Sequence, residues 1–516
     1  MSRILFALLL ATPTLAADRP NFVFVLVDDL GRADLSCEGS KFYETPHIDS
    51  VAAKAMRFEN GYAACQVCSP SRAAIQSGKH PARLRITDYI AQSDANQPQK
   101  WRRNTLMLPS RYKKQLPLEE RTIAETLAKN GYKTFFAGKW HLGGDGFTPS
   151  EQGYQINKGG YHFGTPPGGY FAPYRNPKLE DGPPGEVLPL RLGRETAKFI
   201  TDHKDQPFYA MLSFYSVHGP IQSTKELWKK YRDKAERMGL TKNKDRFLID
   251  RTKEVRQVQD HPVYAGMMES MDTAVGLVLT ALEEAGVADN TVVIFTGDNG
   301  GVSSGDGFAT SSLPLRGGKG RQWEGGFREP YFIHWPGVTK GASTDAFATG
   351  MDFYPTMLEI AGIDRLPNQH MDGVSLVPAL KGKEMPARDL VWHYPHYGNQ
   401  GGEPSSVIRS GDWKLIRYHE DGREELYNVV MDIGEQNDLA KYQIERVKNL
   451  SNALTARLKE MDVTSASTNE GFNPDGYIRQ MQNLYKTGEP RRERQHADFL
   501  NPNFKPRGGW WQHRGK

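Results

Sequence analysis

Residues 21–27 of the chain read NFVFVLV, and Asp28-Asp29 follows directly. Such an apolar run, rich in β-branched and aromatic side chains, is typical of a strand buried on both faces of a parallel sheet. Segments with helical spacing occur at 119–129 and 267–282. They alternate with further strand-like runs at 133–137 (KTFFA), 208–216 (FYAMLSFYS) and 291–296 (TVVIFT). This alternation predicts an α/β fold with a large, mostly parallel sheet flanked by helices.

The pattern changes after about residue 385. Three short strands are predicted, with a hairpin turn at Asp421-Gly422, and an amphipathic helix over 444–461 follows. The predicted strands cover residues 407–409, 413–418 and 425–427. We therefore expect a smaller C-terminal subdomain of antiparallel sheet plus helix. The predicted organisation is a leader at 1–17, a catalytic domain at 18–385, the subdomain at 386–464 and a C-terminal extension at 465–516.

The first residues resemble an export signal. Arg3 supplies a positive charge, residues 4–11 are apolar, and 14–17 (TLAA) provide a small-residue cleavage site. We expect this signal peptide to be removed and the protein to be periplasmic or secreted. No later stretch reaches the roughly 18 apolar residues of a membrane-spanning helix, so no integral membrane segment is predicted.

Composition excludes several classes of protein. The 516 residues are 38% hydrophobic and 25% charged, which is an ordinary globular balance and argues against wholesale disorder. Residues 486–516 hold eight basic and three acidic side chains, which accounts for the whole net charge of +5. The remainder is nearly neutral, so a nucleic-acid partner is not expected. The basic tail, with Trp510 and Trp511, is a candidate contact for an anionic polysaccharide.

The chain has three cysteines, Cys37, Cys65 and Cys68. An odd number in an exported protein suggests one disulfide and one thiol with another fate. This argument favours a Cys37–Cys65 bridge and leaves Cys68 for chemistry. The spacing of residues 65–68 is also CxxC, so a Cys65–Cys68 disulfide or redox pair stays open.

Polar side chains follow four of the predicted strands. Asp28-Asp29 ends the first, and the others end in 138–141 (GKWH), 217–218 (VH) and 297–300 (GDNG). Because the carboxyl ends of parallel strands meet at one edge of a sheet, these groups are expected to form one site. Two acidic clusters of hard oxygen ligands suit Ca²⁺ or Mg²⁺ better than zinc.

Residues 68–72 (CSPSR) give the sharpest local signal. Ser69 as N-cap and Pro70 at the first helical position predict a helix that begins immediately after Cys68. Cys68 would then lie at the positive end of a helix, beside Arg72. Such a position stabilises an anion and activates a nucleophile.

The CSPSR segment resembles the C-x-P-S-R signature of the formylglycine-dependent type I sulfatases of the alkaline-phosphatase superfamily. Other segments that resemble this family follow in order along residues 20–440. They are 20–31 (PNFVFVLVDDLG), 138–143 (GKWHLG), 297–300 (GDNG), 315–319 (LRGGK), 324–328 (EGGFR), 372–376 (DGVSL) and 413–415 (WKL). The resemblance implies an alkaline-phosphatase-like fold and a sulfuric ester hydrolase.

The resemblance also implies a chemistry for the site. A maturation enzyme would convert Cys68 to formylglycine, whose hydrate attacks sulfur and later expels sulfate. Arg72 would hold the hydrate, Lys139 and Lys319 would bind sulfate oxygens, His141 would act as base, and His218, with Lys319, would protonate the leaving alcohol. One Ca²⁺ would be held by Asp28, Asp29, Cys68, Asp298 and Asn299.

The expected substrate is a sulfated carbohydrate, because members resembling this chain commonly act on sugars. His162, His393 and His396 lie in aromatic segments and are candidate sugar contacts. Three alternatives stay open. The protein could be a phosphate or phosphonate monoester hydrolase that uses the same group, a sulfated-glycan binding protein without activity, or a secreted thiol oxidoreductase that uses CxxC.

Overall fold

The computed structural model describes residues 19–503. The predicted leader and the two tail tryptophans lie outside this range. The strands within it are β1 Asn21–Val27, β2 Met56–Tyr62, β3 Met107–Leu108, β4 Lys133–Gly138, β5 Ile156–Lys158, β6 Phe208–Ser213, β7 Phe247–Asp250, β8 Lys253–Arg256, β9 Thr291–Gly297, β10 Tyr331–His334, β11 Ala342–Thr349, β12 Leu390–Tyr394, β13 Ser405–Ser410, β14 Trp413–Tyr418, β15 Glu424–Asn428 and β16 Ser467–Thr468.

Helices alternate with most of the early strands. Those of the described range are α1 Pro46–Ala52, α2 Cys68–Ser77, α3 Pro81–Leu84, α4 Ile123–Lys129, α5 Leu188–Asp202, α6 Lys225–Arg237, α7 Pro262–Glu284, α8 Glu324–Phe327, α9 Phe353–Ile360, α10 Val377–Leu380, α11 Ile444–Glu460 and α12 Pro474–Leu500. No helix among residues 19–503 combines the length and apolar character that a membrane span requires.

The large sheet has eight strands in the order β11-β2-β10-β9-β1-β6-β4-β5. Its pairs are parallel except those of β10, which runs antiparallel to β9 and β2. The predicted mostly parallel sheet is therefore confirmed. Strand β1 lies between β6 and β9 in the middle of the sheet.

The two faces of β1 belong to two hydrophobic cores. Val23, Val25 and Val27 pack in the core that contains α5 and α7 side chains, whereas Phe22 and Phe24 face the core of α4 and α9. Alternate residues of a strand point to opposite faces. Burial on both faces explains why β1 is continuously apolar.

The smaller subdomain is a four-stranded antiparallel sheet, β12-β13-β14-β15, covered by α11, which confirms the predicted architecture. A buried ion pair joins it to the large domain. Glu324 of α8, in the large domain, accepts hydrogen bonds from Lys414 (3.2 Å) and Arg409 (3.1 Å) of the subdomain. It also accepts one from the Tyr62 hydroxyl (2.8 Å) of the large domain.

The C-terminal extension carries a 27-residue helix, α12, which the sequence pattern did not predict. It packs on the β7–β8 hairpin through charged side chains. Arg491 donates to Glu254 (2.7 Å), and His496 lies buried with Nε2 3.3 Å from Asp260. The helix is mostly exposed and polar and shows no sustained apolar periodicity. Its position therefore depends on these tertiary contacts.

Candidate active site

The carboxyl ends of β1 and β9 bring the acidic clusters together. The register pairs Val27 with Gly297, so the residues that follow both strands emerge side by side. Asp28, Asp29 and Asp298 are fully buried, and one oxygen of each lies within 4.8 Å of the others. The structure thus brings together three of the predicted metal ligands.

Asp29 adopts a left-handed backbone conformation, with φ at 61°. A non-glycine residue occupies this region at a cost in free energy, and its neighbours must hold it there. Its backbone N–H donates to Asp298 (3.1 Å), and the Asn299 side-chain amide donates to its Oδ1 (2.8 Å). These contacts aim the carboxylates at one point.

Two oxygens at this point have no hydrogen-bond partner among the described residues. They are Oδ1 of Asp28 and Oδ1 of Asn299, and both are buried. A buried polar atom is ordinarily satisfied by a partner. Burial raises the pKa of Asp28 well above its ordinary value, and the Lys139 ammonium offsets only part of that effect. Oxygen ligands around an unbalanced carboxylate cluster fit a hard divalent cation.

Cys68 is the first residue of α2, and Val67 is the N-cap. The helix therefore begins two residues earlier than predicted, at Cys68 instead of Pro70, and Ser69 is not its cap. The Ser69 hydroxyl instead accepts a hydrogen bond from the backbone N–H of Ile90 (3.0 Å). This contact ties the start of α2 to the segment that holds His141.

The Cys68 side chain is buried and faces the carboxylates. Burial raises the pKa of its thiol to about 11, although Lys139 and Lys319 act in the opposite direction. Burial therefore outweighs the activation of the Cys68 thiol that was expected from the N-terminus of α2. A protonated thiol is a poor nucleophile, so the site does not suit chemistry by an unmodified cysteine.

Arg72 links α2 to the carboxylates that follow β1 and β9. Its Nε donates to Asp298 (2.7 Å), and Nη1 donates to the carbonyl of Lys139 and to the Ser213 hydroxyl (2.7 Å each). The guanidinium also lies 3.6 Å from Asp28. Sequence reasoning missed Ser213; its position at the end of β6, level with the ends of β1 and β4, is the signal that identifies it.

Two buried lysines stand on opposite sides of the cluster. Lys139 donates to Asp28 (2.6 Å), and Lys319 donates to Asp29 (2.8 Å). Burial by itself lowers the pKa of Lys319, but the carboxylates of Asp29 and Asp306 outweigh it, and the pKa lies well above its ordinary value. Lys319 is therefore a fixed cation at the carboxylate cluster.

His141 faces Cys68, and its tautomer follows from its contacts. Its Nε2 lies 2.8 Å from the carbonyl of Ile90, which can only accept a hydrogen bond, so Nε2 carries the proton. Nδ1, 3.4 Å from Cys68 Sγ, is then free to accept. Burial and the Lys139 charge lower the pKa of His141 well below its ordinary value and keep the ring neutral.

His218 lies across the site, with Nε2 3.6 Å from Asp29 and Nδ1 2.8 Å from the carbonyl of Gly219. Burial and Lys319 lower the pKa of His218 to about 4. Asp306, which the sequence interpretation missed, lies 3.2 Å from Lys319 and belongs with Asp29 and His218 to a second possible ligand group. Its place between Gly305 and Gly307, shortly after the second acidic cluster, is a signal for a loop that returns to the site.

The three candidate sugar contacts are not gathered at the site. His393 is buried between Ser406 and the carbonyl of Thr464 (2.8 Å each), and His396 is buried against Thr87 (2.9 Å). Both side chains are packed within the protein and are almost inaccessible to solvent. His162 is half-buried on the segment beside His141, whose N–H donates to the carbonyl of Tyr161 (3.1 Å).

All three cysteines are free, so the expected Cys37–Cys65 disulfide is wrong. Cys37 packs against the core of α5 and α7, whereas Cys65 is buried with Val67 and Tyr394 in a separate cluster. Burial raises the pKa of the Cys65 thiol above its ordinary value. Neither Cys65 nor Cys68 is therefore a reactive thiolate, which argues against the thiol oxidoreductase alternative.

The assembled site joins three carboxylates to three fixed cations and two neutral imidazoles. Such a set can hold a divalent cation, bind a tetrahedral oxyanion and move protons on either side of it. The geometry defines a hydrolase of anionic esters built on an alkaline-phosphatase-like sheet.

Comparison with known proteins identifies the family. The model of the sulfatase family matches residues 20–363, and that of the N-sulphoglucosamine sulphohydrolase C-terminal region matches 319–464. Human arylsulfatase A is 31% identical over 441 residues, which cover 79% of this chain and 76% of the relative. Human N-acetylgalactosamine-6-sulfatase is 30% identical, with 73% and 69% covered. The chain belongs to the sulfatase family and is a sulfuric ester hydrolase.

A solved structure supports the same fold. The crystal structure of Ps i-CgsB in complex with k-i-k-neocarrahexaose has a TM-score of 0.70 and 25% identity to this chain, covering 93% of this chain and 99% of that one. The alkaline-phosphatase-like architecture predicted from the sequence is confirmed.

Proposed function

We propose that this protein hydrolyses sulfate esters of a carbohydrate, with formylglycine at position 68 and one Ca²⁺. The observation that carries the proposal is the position of Cys68, buried at the first turn of α2 between the carboxylates and His141. As a thiol it has a raised pKa and is a weak nucleophile. Conversion to an aldehyde, followed by addition of water to form its hydrate, would give this position a reactive hydroxyl beside the carboxylates and His141.

The residues that would hold Ca²⁺ are Asp28, Asp29, Asp298, Asn299 and the group at position 68. The two unpartnered oxygens of Asp28 and Asn299 support this assignment. When present, the ion would neutralise sulfate charge, and the aldehyde hydrate would supply the nucleophile.

The protein's own side chains have separable roles in the proposal. Lys139 and Lys319 hold sulfate oxygens, because fixed cations stabilise the charge that develops there. His141 accepts a proton at Nδ1 from the group at position 68, since its Nε2 is committed to Ile90. Lys319, with His218 beside it, delivers a proton to the oxygen of the leaving alcohol.

A carbohydrate is the proposed substrate class for two reasons. One relative is named N-acetylgalactosamine-6-sulfatase, and the similar solved structure holds a neocarrahexaose. Export, with cleavage after residues 14–17, belongs to the same proposal, because sulfated polysaccharides are extracellular substrates. The signal segment itself lies outside the described residues.

The test is sulfate release by protein coexpressed with a formylglycine-generating enzyme. Substrates are oligosaccharides of sulfated galactan, ulvan, fucoidan and heparan, with an aryl sulfate and an aryl phosphonate alongside, and Cys68→Ala is the control. Sulfate release from one glycan supports the proposal. Turnover of the phosphonate with no sulfate ester cleaved would instead assign the protein to the phosphonate hydrolases.

A further inference from the structure

A cavity of about 360 Å³ is lined by none of the residues of the candidate active site. Its walls come from three segments: the loop at 103–106, the loop at 397–403 with the start of β8, and the first turns of α12. We call it the α12 cavity. The family models end at residue 464, so the α12 wall lies beyond the matched region.

The walls of the α12 cavity are fastened to one another. The Asn104 side chain exchanges two hydrogen bonds of 2.8 Å with the backbone of Asn473, immediately before α12. The Asn469 amide donates to the carbonyl of Thr105 (2.8 Å), and the Tyr397 hydroxyl accepts from the backbone of Met107 (3.0 Å). A cavity held by this many local contacts is pre-formed, which favours ligand binding.

Two cations at the α12 cavity form no ion pair with a carboxylate within the part of the chain that the structure describes. The Lys253 ammonium has no hydrogen-bond or ion-pair partner within residues 19–503, and it is half-buried. The Arg103 guanidinium donates to the carbonyls of Tyr397 (2.8 Å) and Gly398 (3.4 Å). Burial lowers the pKa of Lys253, and neighbouring arginines, including Arg492, lower it further, although the adjacent Glu254 acts in the opposite direction. An anionic group would give the Lys253 ammonium the ion-pair partner that it lacks within residues 19–503.

Aromatic rings and amides complete the lining. Phe472, Tyr477 and Tyr397 line the cavity, and the ring of Trp101 stacks on Tyr397 with centroids 6.1 Å apart. Of the two carboxylates in the lining, Glu403 is compensated by Arg251 (2.7 Å), whereas Glu420 accepts a hydrogen bond from the Tyr397 hydroxyl and has no ion pair among the described residues. Apolar ring faces, amides and a lysine ammonium without an ion-pair partner in residues 19–503 together suit an anionic sugar residue.

The loop at 397–403 connects this cavity to the catalytic centre. The residues on either side of Gln400 line the α12 cavity. The Gln400 side chain itself donates a hydrogen bond to Asp306, which pairs with Lys319. Asn399 donates to the hydroxyl of Tyr89 (3.1 Å), adjacent to the Ile90 carbonyl that faces His141. An oligosaccharide whose sulfate ester lies at Lys319 therefore has the α12 cavity next to its adjoining sugar residues.

We infer that the α12 cavity binds a second, anionic sugar residue of the same substrate chain, beyond the residue that carries the cleaved sulfate. The anionic group, a sulfate or a carboxylate, pairs with Lys253 and Arg103, and the sugar ring packs on the aromatic lining. The inference rests on the proposed function. It makes the enzyme selective for oligosaccharides over monosaccharide esters.

The test compares Lys253→Met with Lys204→Met, an exposed lysine in the turn before β6, at the opposite edge of the sheet. For a hexasaccharide of the glycan that releases sulfate, we expect Lys253→Met to raise KM about tenfold, the loss of one charged hydrogen bond. Turnover of an aryl sulfate should not change in either variant. Unchanged KM for the hexasaccharide would overturn the inference.

Binding separates this inference from the proposed function. Calorimetry on the Cys68→Ala protein uses hexasaccharides and disaccharides of sulfated galactan, ulvan, fucoidan and heparan. We expect a hexasaccharide to bind at least about tenfold more tightly than its disaccharide, and Lys253→Met to remove that difference. Galactan and fucoidan probe sulfate alone, whereas ulvan and heparan add carboxylates. If no hexasaccharide binds more tightly than its disaccharide, the inference fails, even where aryl sulfate hydrolysis shows a working catalytic centre.

Discussion

Cys68 Sγ lies 3.4 Å from Nδ1 of His141, although 73 residues separate them in the chain. The contact exists because α2 begins at Cys68 and β4 ends immediately before Lys139, at the same edge of the sheet. His141 is held in a left-handed conformation, with φ at 58°, that turns its ring back toward α2. The residue at the predicted nucleophile position, Cys68, and the predicted base, His141, are thus in direct contact.

Replacing Cys68 should separate the sulfatase mechanism from thiol chemistry. We expect Cys68→Ser, coexpressed with the maturation enzyme, to lower sulfate release at least about 10³-fold, because nucleophile loss removes covalent catalysis. Cys65→Ser is the matched control and should keep near-normal turnover. The measurement is kcat on an aryl sulfate, with circular dichroism to verify folding. Loss of turnover in Cys65→Ser with near-normal turnover in Cys68→Ser would instead indicate a thiol enzyme.

His141→Ala should lower kcat by about 10²–10⁴-fold, the usual range for loss of a general base. KM should change little, since the ring does not bind sulfate in the proposed arrangement. His334→Ala, at the end of β10 away from the site, serves as the control and should remain within about twofold of the unmodified enzyme. A large rise in KM with unchanged kcat would show a binding role instead.

Removal of the metal should destabilise the fold as well as stop turnover. A ligand that binds only the folded state adds about 3 kcal/mol at a hundredfold excess over its Kd. We therefore expect a chelator to lower Tm and Ca²⁺ to restore it. The Asp298→Asn variant should show neither response. Identical melting curves with chelator and with Ca²⁺ would contradict the assigned site.

The buried ion pair between the domains should be sensitive to loss of one partner. Lys414 and Glu324 are both fully buried, and Lys414 also lies 2.9 Å from Glu435. Lys414→Met leaves buried carboxylates short of a cation, which costs about 3–5 kcal/mol. Urea unfolding measures the change, and the exposed Lys383→Met is the control. Equal stability of the two variants would refute this coupling.

Acid should weaken the docking of α12. Burial lowers the pKa of His496 to about 4, so the folded state holds a neutral ring where the unfolded chain binds a proton below about pH 6.5. Stability is then lost as the pH falls from 6.5 to 4, by about 3 kcal/mol. The pKa of Asp260, about 2, adds a loss at lower pH, because burial raises this pKa but His496 and Arg256 outweigh it.

Hydrogen exchange of α12 between pH 7 and pH 4 measures this acid effect. The His496→Gln variant should lose most of the pH dependence, because glutamine has no proton to gain in this range. Protection of α12 that is constant with pH in the unmodified protein would contradict the prediction.

Local patterns were sufficient to predict much of the site. Asp28, Asp298 and Lys139 each follow a strand whose residues are apolar enough to recognise, and the topology of a parallel sheet then places their ends together. Cys68 and Arg72 were found because a helix start has its own local chemistry. Ser213 and Asp306 were missed, because a serine at a strand end or an aspartate between glycines has many ordinary uses.

The α/β architecture, the acidic strand ends and the family follow from the amino-acid sequence alone, because these depend on periodicity and on motifs of a few adjacent residues. Long-range packing, by contrast, buries His393 and His396, leaves the cysteines unpaired and makes α12 a wall of a cavity. Those facts depend on contacts between residues hundreds of positions apart, such as Asn104 with Asn473. No local pattern encodes which distant segment a polar helix or a histidine will meet.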